Sequence, residues 1–259
     1  MTMRIAMVGA CPYPVPQGSQ VFLRDNAAVL QARGHEVHLA VYGHGAGHDH
    51  SGLRIHRAPK VPLVRKTGAG PSPAKPFLDL LLVRTLRRVA HQHKVQVVIA
   101  HNYEALLVAL AAGHRPILYH AHNAMSDELP YYFHGAHWAE RLGRWLDRSF
   151  PRRADRVLVP HRRLAGHLIV RGCDHRKVTL VAPPVDAARF TPMDKVRKRH
   201  PEARLMVATA EDVFLPEAEL VPVRGFDALP RLLARDAVYA VPRVSWSGYP
   251  IKLLNAMAA

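Results

Sequence analysis

Two stretches of this 259-residue chain carry residue types and spacings suited to chemistry. The first is Tyr119-His120-Ala121-His122-Asn123, directly after the apolar run Ile117–His120. A short apolar run of this kind is a buried parallel strand, and in open α/β sheets ligands bind beyond the carboxyl ends of such strands. An imidazole there can hydrogen-bond a hydroxyl or a phosphate near neutral pH. His120 and His122 are therefore candidate site residues, against the alternative that both are ordinary loop histidines. The second stretch is the loop from Cys11 to Gly18, where Pro12, Pro14 and Pro16 forbid helix and interior strand alike. Ser19 can cap the helix that follows, so Gly18 presents bare backbone N–H groups at a helix start, a site for a diphosphate or another anion. Gly18 either serves that anion or simply permits the turn.

The elements that must position these residues can be read around them. Arg4–Val8 is a buried strand, and Leu23, Ala27 and Leu30 line one face of the first helix. Gly34 ends that helix, and Val37–Val41 is the next strand. Leu53–Arg57 is another strand, followed by a connection rich in proline and basic residues through Pro76. Residues 77–93 form the clearest helix, with Leu78, Leu81, Leu82, Thr85, Leu86 and Val89 on one face. Val95–Ala100 is a central strand, and a helix over 104–112 leads to Ile117–His120. Asp127–Phe133 is expected as an aromatic, acidic loop. Residues 137–150 form an amphipathic helix, with Trp138, Leu142, Trp145 and Leu146 as its apolar stripe and Arg141, Arg144 and Arg148 beside it. That helix either covers the sheet, the preferred placement, or lies on an anionic membrane. Arg156–Val159, a helix over 162–171 closed by Gly172, and Lys177–Val181 complete an α/β unit. Further on, Arg204–Thr209 and Ala237–Val241 are strands, and helices are expected from 193, over 226–234 and from 251.

Apolar residues make up 49% of the chain, enough for a substantial core. No apolar run is long enough to span a bilayer, and the N-terminus lacks the apolar core of a signal peptide. A soluble cytoplasmic protein is expected, with peripheral contact at the inner face of the membrane if helix 137–150 lies on lipid. Cys11 and Cys173 are expected as free thiols. The net charge of +16 favours anionic partners. Nucleic acid is not among those expected, since no reading motif or basic stripe with interleaved aromatics accompanies the charge. His44, His48 and His50 lie in a glycine-rich loop that is read as solvated, and no metal site is assigned.

The proline-rich loop through Gly18 with Arg33–Val37, the segments Arg153–Val157 and Val185–Phe190, and the segment Ser245–Pro250 together resemble the large retaining family four of GT-B glycosyltransferases. The opening strand, proline-rich loop, Gly18, helix and Arg33-Gly34-His35-Glu36-Val37 look like that family's start, with Gln17-Gly18 where it usually has two glycines. Arg153-Ala154-Asp155-Arg156-Val157 and Val185-Asp186-Ala187-Ala188-Arg189-Phe190 match the end of its first domain, with Pro184 in place of a glycine. Ser245-Trp246-Ser247-Gly248-Tyr249-Pro250 is similar to its donor-binding segment, but Ser247 and Asn255 stand where the family has glutamates for sugar and ribose. The family's glycine-rich turn with an arginine, and its lysine–glycine pair, are not found after Phe190.

The resemblance implies a GT-B fold: a Rossmann-like acceptor-side domain over 1–183 and a partial, shortened nucleotide-sugar-binding domain over 184–259. It implies a retaining, nucleotide-sugar-dependent transferase whose acceptor is unidentified, with no cofactor besides the donor and no metal. It assigns Gly18 to the phosphate, His120 or His122 to the sugar, and Ser247, Gly248, Tyr249 and Asn255 to the donor. The missing arginine, lysine and carboxylates leave a second expectation open, a non-catalytic or truncated binding protein.

Overall fold

In the computed structural model, residues 2–15, 18–45, 52–62, 64, 72–133 and 136–181 are described, together with strands at 206–209 and 219–222. Strands β1 (Arg4–Gly9), β2 (Glu36–Val41), β3 (Arg54–Arg57), β4 (Val97–His101), β5 (Ile117–His120), β6 (Arg156–Val159) and β7 (Val178–Leu180) form one sheet. Helices α1 (Gly18–Ala32), α2 (Lys75–Gln92), α3 (Tyr103–Ala112), α4 (Met125–Tyr132), α5 (His137–Ser149) and α6 (Arg162–Val170) lie between them in sequence. A separate parallel pair joins β8 (Met206–Thr209) to β9 (Glu219–Pro222). The seven strands run in the order β3-β2-β1-β4-β5-β6-β7, each pair parallel. The order reverses between β1 and β4, the place where a doubly wound sheet opens a crevice.

The alternation along the strands sorts the core into two layers. Ala6, Val8, Ala40, Val98, Ala100 and Tyr119 face the side covered by Leu78, Leu82 and Leu86 of α2 and Leu106 of α3. Ile5, Met7, Leu39, Val97 and Ile99 face the other side, beneath Val21, Phe22, Leu23 and Ala27 of α1. This two-sided burial explains why the inner strands read as unbroken apolar runs. The end of α1 follows its sequence signal closely. Gly34 takes φ +82, its N–H bonds Gln31 O at 2.9 Å, and His35 N–H bonds Leu30 O at 3.2 Å. That pair of bonds is the Schellman closure, and the positive φ is why glycine stands there.

Two expectations fail here. Residues 127–133 are not a loop: α4 spans Met125–Tyr132 with Pro130 inside it. Its start is held by a residue far along the chain, since Asp147 Oδ1 accepts from Met125 N at 2.8 Å and Oδ2 from Ser126 N at 3.1 Å. The apolar stripe of α5 does not cover the sheet either. Its buried residues are Ala139, Gly143 and Asp147, while Trp138 and Trp145 stay 53% and 54% exposed. A side chain on Gly143 would place its Cβ 2.5 Å from Met125 O, so the two helices meet through α5's small residues. The helix start also shifts slightly: Gly18 is the first residue of α1, and Ser19 lies inside its first turn. Strand β9, ending in Pro222, was not anticipated. The boundary near 183 and the helices expected from 193, over 226–234 and from 251 fall outside the described residues.

Candidate functional site

Register brings the site together. Gly9 pairs with His101, and His101 with His120, so the last residues of β1, β4 and β5 stand side by side at the carboxyl edge. His101 continues the face of Val97 and Ile99, the face beneath α1. There Phe22 of α1 closes over the imidazoles, 4.7 Å from His120, 4.9 Å from His122 and 5.8 Å from His101 between ring centroids. Gly18, one turn before Phe22, therefore opens its helix over the same strand ends. Asn102 turns the chain sharply after His101 with φ +75, and its side chain accepts from Ala105 N at 2.9 Å to cap α3.

His101 Nδ1 lies 3.3 Å from His122 Nε2. The Nε2 atoms of His101 and His120 are buried without a hydrogen-bond partner among the described residues. Orphaned buried nitrogens are uncommon, and two of them side by side set this strand end apart from ordinary core packing. Burial sets their charge: it holds His101 well below the usual imidazole range, and pushes His120 down to about 4 and His122 to about 3. All three are neutral at pH 7. They can donate to or accept from sugar hydroxyls but supply no positive charge to a phosphate.

Of the candidates from the sequence, His120 is 1% exposed beneath Phe22, whereas His122 is half-buried and reaches the surface. Ser247, Gly248, Tyr249 and Asn255 fall outside the described residues, as do His48 and His50. His44 Nε2 is 3.1 Å from Val61 O, well apart from this cluster in sequence and contacts. His101 was missed, although the rule that selected His120, a histidine at the carboxyl end of an inner strand, applies to it equally.

Two further groups occupy the same end of the sheet. After β2, Tyr42 donates to Asp79 Oδ1 at 2.5 Å, and burial pushes Asp79 up to about 6. Lys75 Nζ pairs with Glu104 Oε1 at 3.0 Å. Cys11 is buried nearby and burial raises its thiol to about 12, so it is not a thiolate nucleophile. Between the starts of α4 and α6, Asn123, Asp127, His161, Arg163 and His167 line an open pocket, a mixed polar surface suited to a hydroxylated ligand. Ser126, His167 and Asp147 do not make a nucleophile triad. Ser126 Oγ (3.2 Å) and Asp147 Oδ2 (2.9 Å) both meet the same His167 nitrogen, leaving no relay through the ring.

The family described as "glycosyl transferase 4-like domain" matches residues 17–184. No curated protein matches the chain in sequence. Among solved structures, HepE of Anabaena in complex with UDP and glucose is similar at 15% identity with a TM-score of 0.59, over 90% of this chain and 72% of that one. Sucrose-phosphate synthase of Thermosynechococcus elongatus is similar at 14% identity with a TM-score of 0.60, over 99% and 74%. A putative UDP-N-acetylglucosamine 2-epimerase of Listeria monocytogenes is similar at 11% identity with a TM-score of 0.50, over 90% and 66%. At these identities the likeness is one of fold, an α/β architecture of GT-B type, and that fold serves transferases and an epimerase alike.

Proposed function

The chain belongs to the glycosyl transferase 4-like family, and from that premise we propose that it moves a glycosyl unit from a nucleotide sugar to an acceptor with retention at the anomeric carbon. The observation that carries this reading is the layer of three neutral imidazoles, His101, His120 and His122, at the switch point beneath the start of α1. Uncharged donors and acceptors suit sugar hydroxyls, and the adjoining helix start suits the diphosphate. In this scheme His122 contacts the donor sugar, His120 and His101 hold it in place from below, and Gly18 lets the phosphates approach α1. Ser247, Gly248, Tyr249 and Asn255 complete the donor side. Besides donor and acceptor, the scheme uses no cofactor. The leaving diphosphate carries the developing negative charge, and positioning with electrostatic stabilisation does most of the work.

A family-type arginine and lysine after Phe190 are missing, and Ser247 and Asn255 replace carboxylates. Slow transfer follows, because removing one preorganised charge stabiliser costs about a hundredfold or more in rate. Arg224 or Arg243 would have to substitute. Calorimetric titration with UDP- and GDP-sugars, paired with a transfer assay, tests the proposal. UDP comes first because the similar HepE structure holds it. The expected result is weak binding that Gly18→Val abolishes while the fold persists. Binding without any turnover would favour the non-catalytic reading, and no binding at all would sink both.

The exposed stripe on α5 supports a second proposal, peripheral attachment to anionic membrane. Trp138, Leu142 and Trp145 lie exposed on one helix face, with Arg141, Arg148, Arg152 and Arg153 exposed around them. Among the described residues no helix is long and apolar enough to cross a membrane.

A further inference from the structure

We propose that His38, His56 and His93 bind a single divalent transition-metal ion, Zn2+ foremost, on the face of the sheet remote from the transfer cleft.

Three elements bring these histidines together. His38 lies near the start of β2, and His56 in β3 pairs with Ala40, so both side chains fall on the face of Ala6 and Ala40. That face is covered by α2, and His93 is the residue that caps the carboxyl end of α2. The cleft histidines His101 and His120 occupy the opposite face of the sheet, two strands or more away from β2 and β3. The two clusters are thus separate sites.

The geometry is close to that of a three-imidazole metal site. His38 Nδ1 and His56 Nε2 are 3.0 Å apart, and one ring nitrogen from each of the three residues lies within 4.8 Å of the others. Tetrahedral zinc with Zn–N bonds of about 2.0–2.1 Å sets its ligand nitrogens about 3.3 Å apart, so small ring rotations close the set. His38 and His93 stack at 4.0 Å between centroids, a spacing that rotation of His93 would open.

The chemistry of the donors selects the ion. A set of imidazole nitrogens suits zinc, copper or nickel, while magnesium and calcium require oxygen. Behind the first ligand, Glu36 Oε1 lies 3.3 Å from His38 Nε2, the nitrogen left to carry a proton once Nδ1 holds the metal. As the structure stands that Nε2 makes no well-formed hydrogen bond, despite its proximity to the carboxylate. A carboxylate behind a ligating histidine fixes its tautomer and raises its basicity. Arg54, which pairs with Glu36, and Arg88 near His56 oppose the added charge, and the site binds in spite of them. His56 and His93 are only half-buried, which leaves the ion a path from solvent. Once bound, it would tie the short outer strand β3 and the end of α2 to β2.

The test uses the full chain, freed of metal with a chelator, then titrated with ZnCl2 by calorimetry and with CoCl2 by absorption. One saturable site is expected, with intense visible bands from tetrahedral cobalt and a rise in melting temperature with zinc. His56→Ala and His93→Ala, at half-buried positions that spare the fold, should each weaken binding at least about tenfold and remove the cobalt bands. Glu36→Gln should weaken it by about tenfold to a hundredfold. His44→Ala should leave it unchanged. The proposal is overturned by the absence of saturable binding, by binding undiminished in both histidine variants, or by binding that depends on His44 instead.

Discussion

Phe22 stands edge-on to His120, their ring centroids 4.7 Å apart and their planes at 66°. This one contact fixes how α1 sits over the strand ends. It seals His120 from solvent, lines His122 up beside the helix start, and ties the proposed phosphate and sugar contacts to one rigid element. The three imidazoles are accordingly unequal. In the proposed transfer, His122 touches the ligand and His120 holds the layer beneath it.

His122→Ala should therefore lower turnover with a nucleotide-sugar donor by about tenfold to a hundredfold, the range for one lost hydrogen bond in a buried site. His120→Ala should lower it too, with a larger loss of thermal stability because it empties space under Phe22. His44→Ala should leave turnover near that of the parent chain. Donor titrations and melting curves on the three variants check this. Equal turnover in all three would remove the imidazole layer from the mechanism.

The link between α4 and α5 makes a prediction about stability alone. Asp147 is 2% exposed and satisfies two N–H groups of α4 as well as His167. Asp147→Ala leaves those donors buried and unpaired, at about 1–3 kcal/mol each. Gly143→Ala forces a methyl against the Met125 carbonyl and should also destabilise, by about 1–3 kcal/mol. Urea unfolding measures both. A loss within experimental error for Asp147→Ala would mean that α4 is held by other contacts.

The same contact shows which features the sequence disclosed and which it did not. Local signals were legible: Gly34 closing α1, the apolar face of α2, and the inner strands of the sheet were visible as composition and period. Features made by residues far apart were not. Helix α4 looked like a loop because Pro130 argues against helix, while its cap lies on another helix at Asp147. The α5 stripe looked like a core face because a helical wheel shows apolarity, not which neighbour arrives; the neighbour meets Ala139 and Gly143. His120 and His122 were legible as a pair at a strand end. His101 meets the same strand-end rule, and the β4–β5 register sets it beside them, whereas His38, His56 and His93 converge only through β2, β3 and the end of α2.

Burial of so many neutral histidines sets the acid response. His120, His122, His101, His38, His56 and His161 all have folded pKa values below the ordinary 6.5, burial being the main cause. Between about pH 6.5 and 4 the unfolded chain takes up protons that the folded chain refuses, so stability falls as pH drops through that window. For His120 alone, lowered to about 4, the loss is on the order of 3 kcal/mol. Asp79, raised to about 6, works in the opposite sense: its contribution is greatest at low pH and is lost as pH rises. The histidines outnumber it. Urea midpoints should decline steadily from pH 7 to 4.5, and Asp79→Asn should steepen the decline by removing the opposing group. A flat profile would mean that the imidazoles gain protons without leaving their buried positions.

The exposed face of α5 leads to a prediction about where the protein works. Two tryptophans and a leucine outside the core, at 53%, 54% and 39% exposure, carry apolar area that water disfavours. Among the described residues their ring contacts are Phe133, which caps α4, with Trp138, and Phe150 with Trp145, and both indoles stay more than half exposed. Among the described residues Arg141, Arg148 and Arg152 make no ion pair, whereas Arg144 pairs with Glu140 at 2.5 Å and Arg153 lies over the Phe150 ring. Tryptophan favours the headgroup region of a bilayer, and each basic residue near an anionic surface contributes about 1 kcal/mol. The attraction is screened once the Debye length shrinks to a few ångströms. The full chain should therefore cosediment with phosphatidylglycerol-containing vesicles at low ionic strength, less so at 0.5 M salt, and hardly at all with purely zwitterionic lipid. Trp145→Ala should reduce binding at every salt concentration, whereas Arg148→Gln should chiefly reduce the salt-sensitive part. Binding that ignores both salt and Trp145 would place the membrane contact elsewhere, and no binding to anionic vesicles would leave this face for a protein partner.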